Sequence, residues 1–158
     1  IDIVVNNLDQ AQNVLGRPIF VENVSTYMTF ASNEMMESEF ITEVAKRAGT
    51  KLLLDINNIY VNATNHGFEA STFLKNIPVD LVGQIHLAGY SDMGDHLFDT
   101  HSKPVWPPVW KLFSEFIKRA PNIPFMIEWD EDIPSFPGLE AELAKAKNIW
   151  REHHPKVS

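Results

Sequence analysis

The sequence predicts an α/β fold of the TIM type, in which parallel strands alternate with helices, and three observations carry that reading. Four short, nearly continuous apolar runs, each ending in polar residues, have the pattern of strands buried on both faces. Helical patterns separate them, which implies parallel strands joined by right-handed crossovers. An eight-stranded barrel takes about 250 residues; the 158 residues of this chain supply four βα units, half of a (β/α) barrel, as a single domain.

The elements follow in order. NNLDQAQNVLG (6–16) is a helix stopped by Gly16. PIFVENVS (18–25) is the first strand. SEFITEVAKRAG (38–49) places apolar residues at 40, 41, 44, 45 and 48 and ends on a glycine, a helix with its stop signal. KLLLDINN (51–58) is the second strand, and FEASTFLKNI (68–77) a weak helix after it. DLVGQIHLAG (80–89) is the third strand, followed by the longest connection. PPVWKLFSEFIKRA (107–120) is a helix with Pro in its first turn. IPFMIEWD (123–130) is the fourth strand and LEAELAKAKNIWREHH (139–154) the closing helix. Trp106, Trp110 and Trp150 read as core aromatics. No glycine-rich phosphate fingerprint follows any strand, which counts against a dinucleotide-binding fold.

Composition narrows the chemistry. Apolar residues make up 44%, as in a soluble globular protein. Cysteine is absent, so there is no disulfide, thiolate ligand or cysteine nucleophile, and any metal must sit on His, Asp, Glu, Asn or water. That donor set suits iron, manganese or zinc. A net charge of −8 argues against nucleic acid or an anionic membrane as partner. No apolar run reaches membrane-spanning length. IDIVVNNLDQ lacks the basic start and apolar core of a signal peptide, and no initiator Met precedes it. The expectation is a cytoplasmic protein and a chain cut from something longer.

Each strand carries a candidate ligand near its C-terminal end: Glu22, Asp55, His86 and Glu128. In a barrel these ends form the active-site face. An acid directly after buried apolar residues is costly unless it is paired or binds a metal. Taken singly, each is better read as a polar residue capping the next helix; a shared cation accounts for all four together. The long connection, HLAGYSDMGDHLFDTHSKP (86–104), adds the pair Asp99-x-His101. If extended, both side chains point the same way and can hold one ion; the competing reading is a solvated turn. Asn58 could reach the same ion or cap a backbone group, with Asn57 as the runner-up. Asp92, Asp95 and His96 read as solvated loop, and His66 as shaping a glycine turn. No residue presents itself as an independent acid or base.

ENVSTY, LLLDINNIYVNATNHG, QIHLAGY, DTH and IEWDEDIP closely resemble the MbnB-like multinuclear iron oxidases, a family long described only as a domain of unknown function. The resemblance runs over nearly the whole chain and places it in the C-terminal half of the barrel. A more distant pattern, Glu22, Asp55, His86, Asp99-x-His101 and Glu128, is similar to xylose-isomerase-like barrels, among them abasic-site endonucleases, where a His stands in place of Asn58. The resemblance implies that Glu22 and Glu128 bridge metals, that Asp55 and His86 complete one site, and that Asn58, Asp99 and His101 hold a third ion. Two further histidines would come from N-terminal strands that this chain does not carry. It also implies a non-haem iron oxygenase or oxidase with two or three iron ions, modifying cysteines of a ribosomally made peptide that a small partner protein presents. Two alternatives stand beside it. One is a metal-dependent hydrolase or sugar isomerase on the same barrel, using zinc or manganese. The other is an inactive truncated half-barrel. An incomplete barrel also leaves open edges that invite self-association.

Overall fold

A computed structural model describes residues 1–155. Its centre is a four-stranded parallel sheet of β1 (Phe20–Glu22), β2 (Lys51–Asp55), β3 (Val82–Leu87) and β6 (Phe125–Ile127), in that spatial order. Helices α1 (Asp2–Leu15), α2 (Glu37–Arg47), α3 (Ile56–His66), α4 (Ala70–Asn76), α5 (Pro107–Ile117) and α6 (Phe136–His153) fill the connections. This is the α/β, partial TIM-type barrel that the alternating pattern predicts. Leu52, Leu54, Ile85 and Leu87, on one sheet face, are fully buried in a core with Phe113, Phe116 and Ile117 of α5. Each such side chain contributes about 1.5–3 kcal/mol by leaving water.

The other sheet face is the inside of the partial barrel. Side chains alternate along a strand, so this face carries Phe20, Leu53, Gln84 and Met126, and one pleat further on Glu22, Asp55, His86 and Glu128. Phe20 is 45% and Met126 39% exposed, so the inner floor is not covered within this chain. Gly83 makes room for the Phe20 ring, whose Cζ would lie 2.5 Å from any Cβ there. Among the described residues β1 and β6 are each paired on one side only.

Three expectations need correcting. The second strand ends at Asp55, not at residue 58, and Ile56–His66 is a helix that the apolar run concealed. Asn57 therefore does not share a strand face with Asp55. Asp92, read as solvated loop, belongs to a strand: β4 (Ser91–Asp92) and β5 (Leu97–Phe98) form a small antiparallel ribbon within the long connection. Trp106 is 39% exposed, with its indole N–H donating to Tyr90 O at 2.8 Å, and is no core residue.

Candidate metal centre

Register brings the strand-end residues together. Asp55 and His86 are direct neighbours across β2 and β3. Glu22 ends β1, whose Glu22 pairs with Leu53, and the Glu128 N–H continues the ladder past β6 by donating to Leu87 O at 2.9 Å. The four side chains each offer a donor atom, and these atoms all lie within 4.8 Å of one another. His86 Nδ1 is 2.8 Å from Glu128 Oε2.

Asp55 serves both readings that its sequence left open. Its Oδ1 accepts the Asn58 backbone N–H at 2.7 Å and so caps α3. Its Oδ2 is buried and has no hydrogen-bond partner among the described residues. The backbone behind it is held by Asn23, which follows Glu22. Asn23 Nδ2 donates to Asp55 O at 2.8 Å, and the Asp55 N–H donates to Asn23 Oδ1 at 2.9 Å. A side-chain amide thus extends the β1–β2 pairing to the level of the acids.

Asp99 and His101 join the cluster from the connection after β5. The segment is not extended: His101 has φ 47°, a left-handed conformation that costs a non-glycine residue on the order of 1–3 kcal/mol and concentrates at functional sites. That turn folds the imidazole into the acids. Nε2 lies 2.7 Å from Asp99 Oδ1 and 3.8 Å from Asp55 Oδ2, and Nδ1 lies 3.4 Å from Glu128 Oε2 and 3.3 Å from Asp130 Oδ2. Despite the short distance to Asp99, Nε2 makes no aligned hydrogen bond. Asp99 Oδ1 instead accepts Asn57 Nδ2 at 2.7 Å. Asn58 donates to Asn23 O at 3.1 Å and keeps its Oδ1 buried without a partner.

Buried polar atoms are nearly always satisfied. Here Asp55 Oδ2, Asn57 Oδ1, Asn58 Oδ1 and His101 Nε2 have no hydrogen-bond partner among the described residues, and all belong to residues packed around the same acids. Charge points the same way. Burial, and then repulsion from Glu128, raises the Glu22 carboxyl above its ordinary value. Burial raises Asp55 well above its ordinary value, against the Asn58 N–H that lowers it. Burial alone would lower His101, but the adjoining Asp99 carboxylate, backed by Asp55 and Glu128, outweighs it and raises the imidazole to about 9. An all-nitrogen-and-oxygen donor set with unpartnered acceptors and excess negative charge fits hard or borderline divalent ions.

All seven sequence candidates, Glu22, Asp55, Asn58, His86, Asp99, His101 and Glu128, fall in this one region. Asp130 was not among the candidates, yet it forms a second possible donor group with His101 and Glu128; its place two residues after Glu128 was the available signal. Asn23 was not singled out, and Asn57 only as the runner-up to Asn58, since nothing in their local sequence announces a partner more than thirty residues away. His96 pairs with Asp95 at 2.7 Å on the surface, apart from the cluster. His66 precedes Gly67, which has φ 73° as the turn reading required, and it also contacts the Thr26 hydroxyl at 2.9 Å.

Residues 1–151 match a protein family described as the RiPP precursor modification enzymes MbnB/TglH/ChrH. Curated relatives carry the name UPF0276 protein. One from Acaryochloris marina is 46% identical over 97% of this chain and 55% of its own length. One from Caulobacter vibrioides is 48% identical over 94% of this chain and 53% of its own, and one from Chromobacterium violaceum is 45% identical over 94% and 54%. The chain spans about half the length of the curated relatives it matches.

Proposed function

The chain belongs to the MbnB/TglH/ChrH family of RiPP precursor modification enzymes, and from that premise we propose that it forms the metal-binding part of an enzyme that oxidatively modifies cysteine in a ribosomally made peptide. The observation that carries the proposal is the convergence of Glu22, Asp55, His86 and Glu128 from four separate strands, with their donor atoms within 4.8 Å of one another. The partnerless Asp55 Oδ2 at their centre supports it. Glu22 and Glu128, carried by the two outer strands, would be carboxylates shared between ions, as the family resemblance implies. Asp55 and His86 would complete one site, and Asp99, His101 and Asn58 a further one. Two or three iron ions held there would supply the redox chemistry, with dioxygen as oxidant.

The chain's own residues have defined tasks in this reading. His86 Nδ1 and Glu128 Oε2 hold each other at 2.8 Å, a contact that an ion taken up by both would replace. Asp55 ties the cluster to α3 through its cap, so the helix cannot move without the ligand. Asn57 orients the Asp99 carboxylate. A small partner protein that presents the peptide belongs to the same proposal.

The test uses the full-length protein, loaded anaerobically with ferrous iron and given a cysteine-containing peptide and the partner. Oxygen consumption coupled to peptide modification is the expected outcome. Glu128→Ala should abolish both metal loading and turnover, His101→Ala should remove one ion more selectively, and His96→Ala should leave both near wild type. Equal activity with zinc in the strict absence of oxygen would move the protein to the hydrolase or isomerase reading. A His96→Ala loss as large as that of Glu128→Ala would overturn the assignment of the ligands.

A further inference from the structure

The loop between β1 and α2, residues 23–36, meets the Asp99–His101 segment through Tyr27. The Asp99 backbone N–H donates to the Tyr27 hydroxyl at 2.9 Å, across 72 positions of sequence. The Tyr27 ring stacks on Phe98, with centroids 5.1 Å apart and planes 22° apart, and meets His96 edge-on at 6.3 Å. Tyr27 is itself held from behind. The Thr26 N–H donates to Asn62 Oδ1 at 2.7 Å, Asn62 Nδ2 donates to Val24 O at 2.9 Å, and His66 Nε2 lies 2.8 Å from Thr26 O. Asn62 and His66 both belong to α3, the helix that Asp55 caps and that also carries Asn57.

We propose that Tyr27 is a positioning residue for the ion held by Asp99 and His101, fixing the backbone from which both side chains depart. The inference rests on the reading that this pair binds a metal. β5 ends at Phe98, so the ladder supplies no partner for the next N–H, and the phenol oxygen takes that place. The Asp99 carboxylate is gripped separately by Asn57. Asp99 is therefore held at its backbone by one loop and at its side chain by one helix, and α3 anchors both. Two residues on, His101 turns into the left-handed region; its carbonyl accepts the Asp130 N–H at 2.8 Å, so its backbone is set from that side by the chain after β6 and from the other by Asp99. The stack on Phe98 would be equally served by phenylalanine. Tyr27 is 46% exposed, so burial does not account for the hydroxyl, whereas its bond to Asp99 does.

The test compares Tyr27→Phe, which keeps the stack and removes the acceptor, with Tyr27→Ala, which removes both, in the full-length protein. Ferrous iron is titrated anaerobically against a competing chelator, iron per chain is counted, and thermal unfolding of the metal-free proteins is recorded. Losing one net hydrogen bond corresponds to about two- to tenfold in affinity. Tyr27→Phe should bind one ion that much more weakly, with the other ions as in wild type and the metal-free Tm lowered by no more than the few degrees that one hydrogen bond carries; Tyr27→Ala should be weaker still at the same ion. Wild-type affinity at every ion in Tyr27→Phe overturns the proposal. So does equal weakening of all ions together with a lowered Tm, which would mark a general effect on the fold. A wild-type protein that takes up iron at only the Glu22, Asp55, His86 and Glu128 group would remove the ion that Tyr27 is said to serve while sparing the rest of the functional reading. A wild type that binds no iron would overturn both.

Discussion

Replacing Asp55 by Asn should raise the stability of the metal-free protein and abolish its response to metal. Asp55 is fully buried, its Oδ1 caps α3 and its Oδ2 has no partner. Asparagine keeps the cap, because Asn and Asp are nearly equal at that position. It forfeits a negative charge at a helix N-terminus, about 0.3–1 kcal/mol. It relieves the charge of a buried carboxylate whose Oδ2 accepts no hydrogen bond among the described residues, a cost of about 1–3 kcal/mol or more. The balance is a gain of about 1–2 kcal/mol near pH 7, and at about 2–4 °C per kcal/mol the Tm rises by about 2–8 °C. Metal acts oppositely on the wild type: a ligand at a hundred times its Kd adds about 2.7 kcal/mol. The order of the two proteins should therefore invert, with the variant more stable in chelator and the wild type more stable with ferrous iron. Scanning calorimetry under both conditions, on full-length protein kept anaerobic, reads this directly. The sign has a pH signature as well. Burial raises the folded Asp55 above 3.8, so its penalty develops as pH rises from that value through the folded one, and the gap in chelator should close near pH 4. A variant less stable than wild type in chelator at pH 7 would refute the argument that this carboxylate is built for a cation.

Two further outcomes follow from the same geometry. His101 is raised from 6.5 to about 9, so the stability it contributes to the metal-free protein is fully present below 6.5 and is lost as pH rises through about 9. A metal takes the deprotonated ring, so affinity should climb over that window with release of protons, and a flat affinity profile between those values would contradict the coupling. Gly89→Ala would drive a methyl group into Lys103 O and to 2.5 Å from Pro104 O, both backbone atoms. Overpacking that cannot relax by rotating a side chain should cost about 3 kcal/mol and lower the Tm clearly, which thermal unfolding of the variant checks.

The strands were legible because each carries a short apolar run that ends in polar residues, as Leu52–Leu54 does before Asp55. The same signal concealed α3. Ile56, Ile59, Val61 and Thr64 are β-branched, and Asn57, Asn58, Asn62 and Asn65 are indifferent helix formers, so the segment reads as more strand until Asp55 is recognised as a cap. The strand-end acids could be found because position along a strand determines which face a residue takes. The arrangement of Asp99 and His101 could not be read that way, since it depends on a left-handed backbone at His101 that sequence does not announce. Asn23, Tyr27 and the hold of Asn57 on Asp99 were hidden for a simpler reason. Their partners, Asp55 and Asp99, lie far away in the chain, and a polar side chain carries no local mark of a distant backbone group.

The pairing of Asn23 with the Asp55 backbone also bears on how this architecture can be altered. β1 has only three residues, yet Glu22 sits at its very end opposite a firmly held neighbour, because an amide side chain stands in for the next peptide unit. The main chain is thereby free to leave the sheet directly after the acid. From there to α2 it is fastened again at Val24 and Thr26 by Asn62 and through Tyr27 to Asp99, all within five positions of Glu22. The stretch beyond, 28–35, is insulated from the acids by those fastenings. It is the part of the loop where segments can be inserted, exchanged or grafted to change what approaches the cluster while the spacing between Glu22 and Asp55 stays as it is.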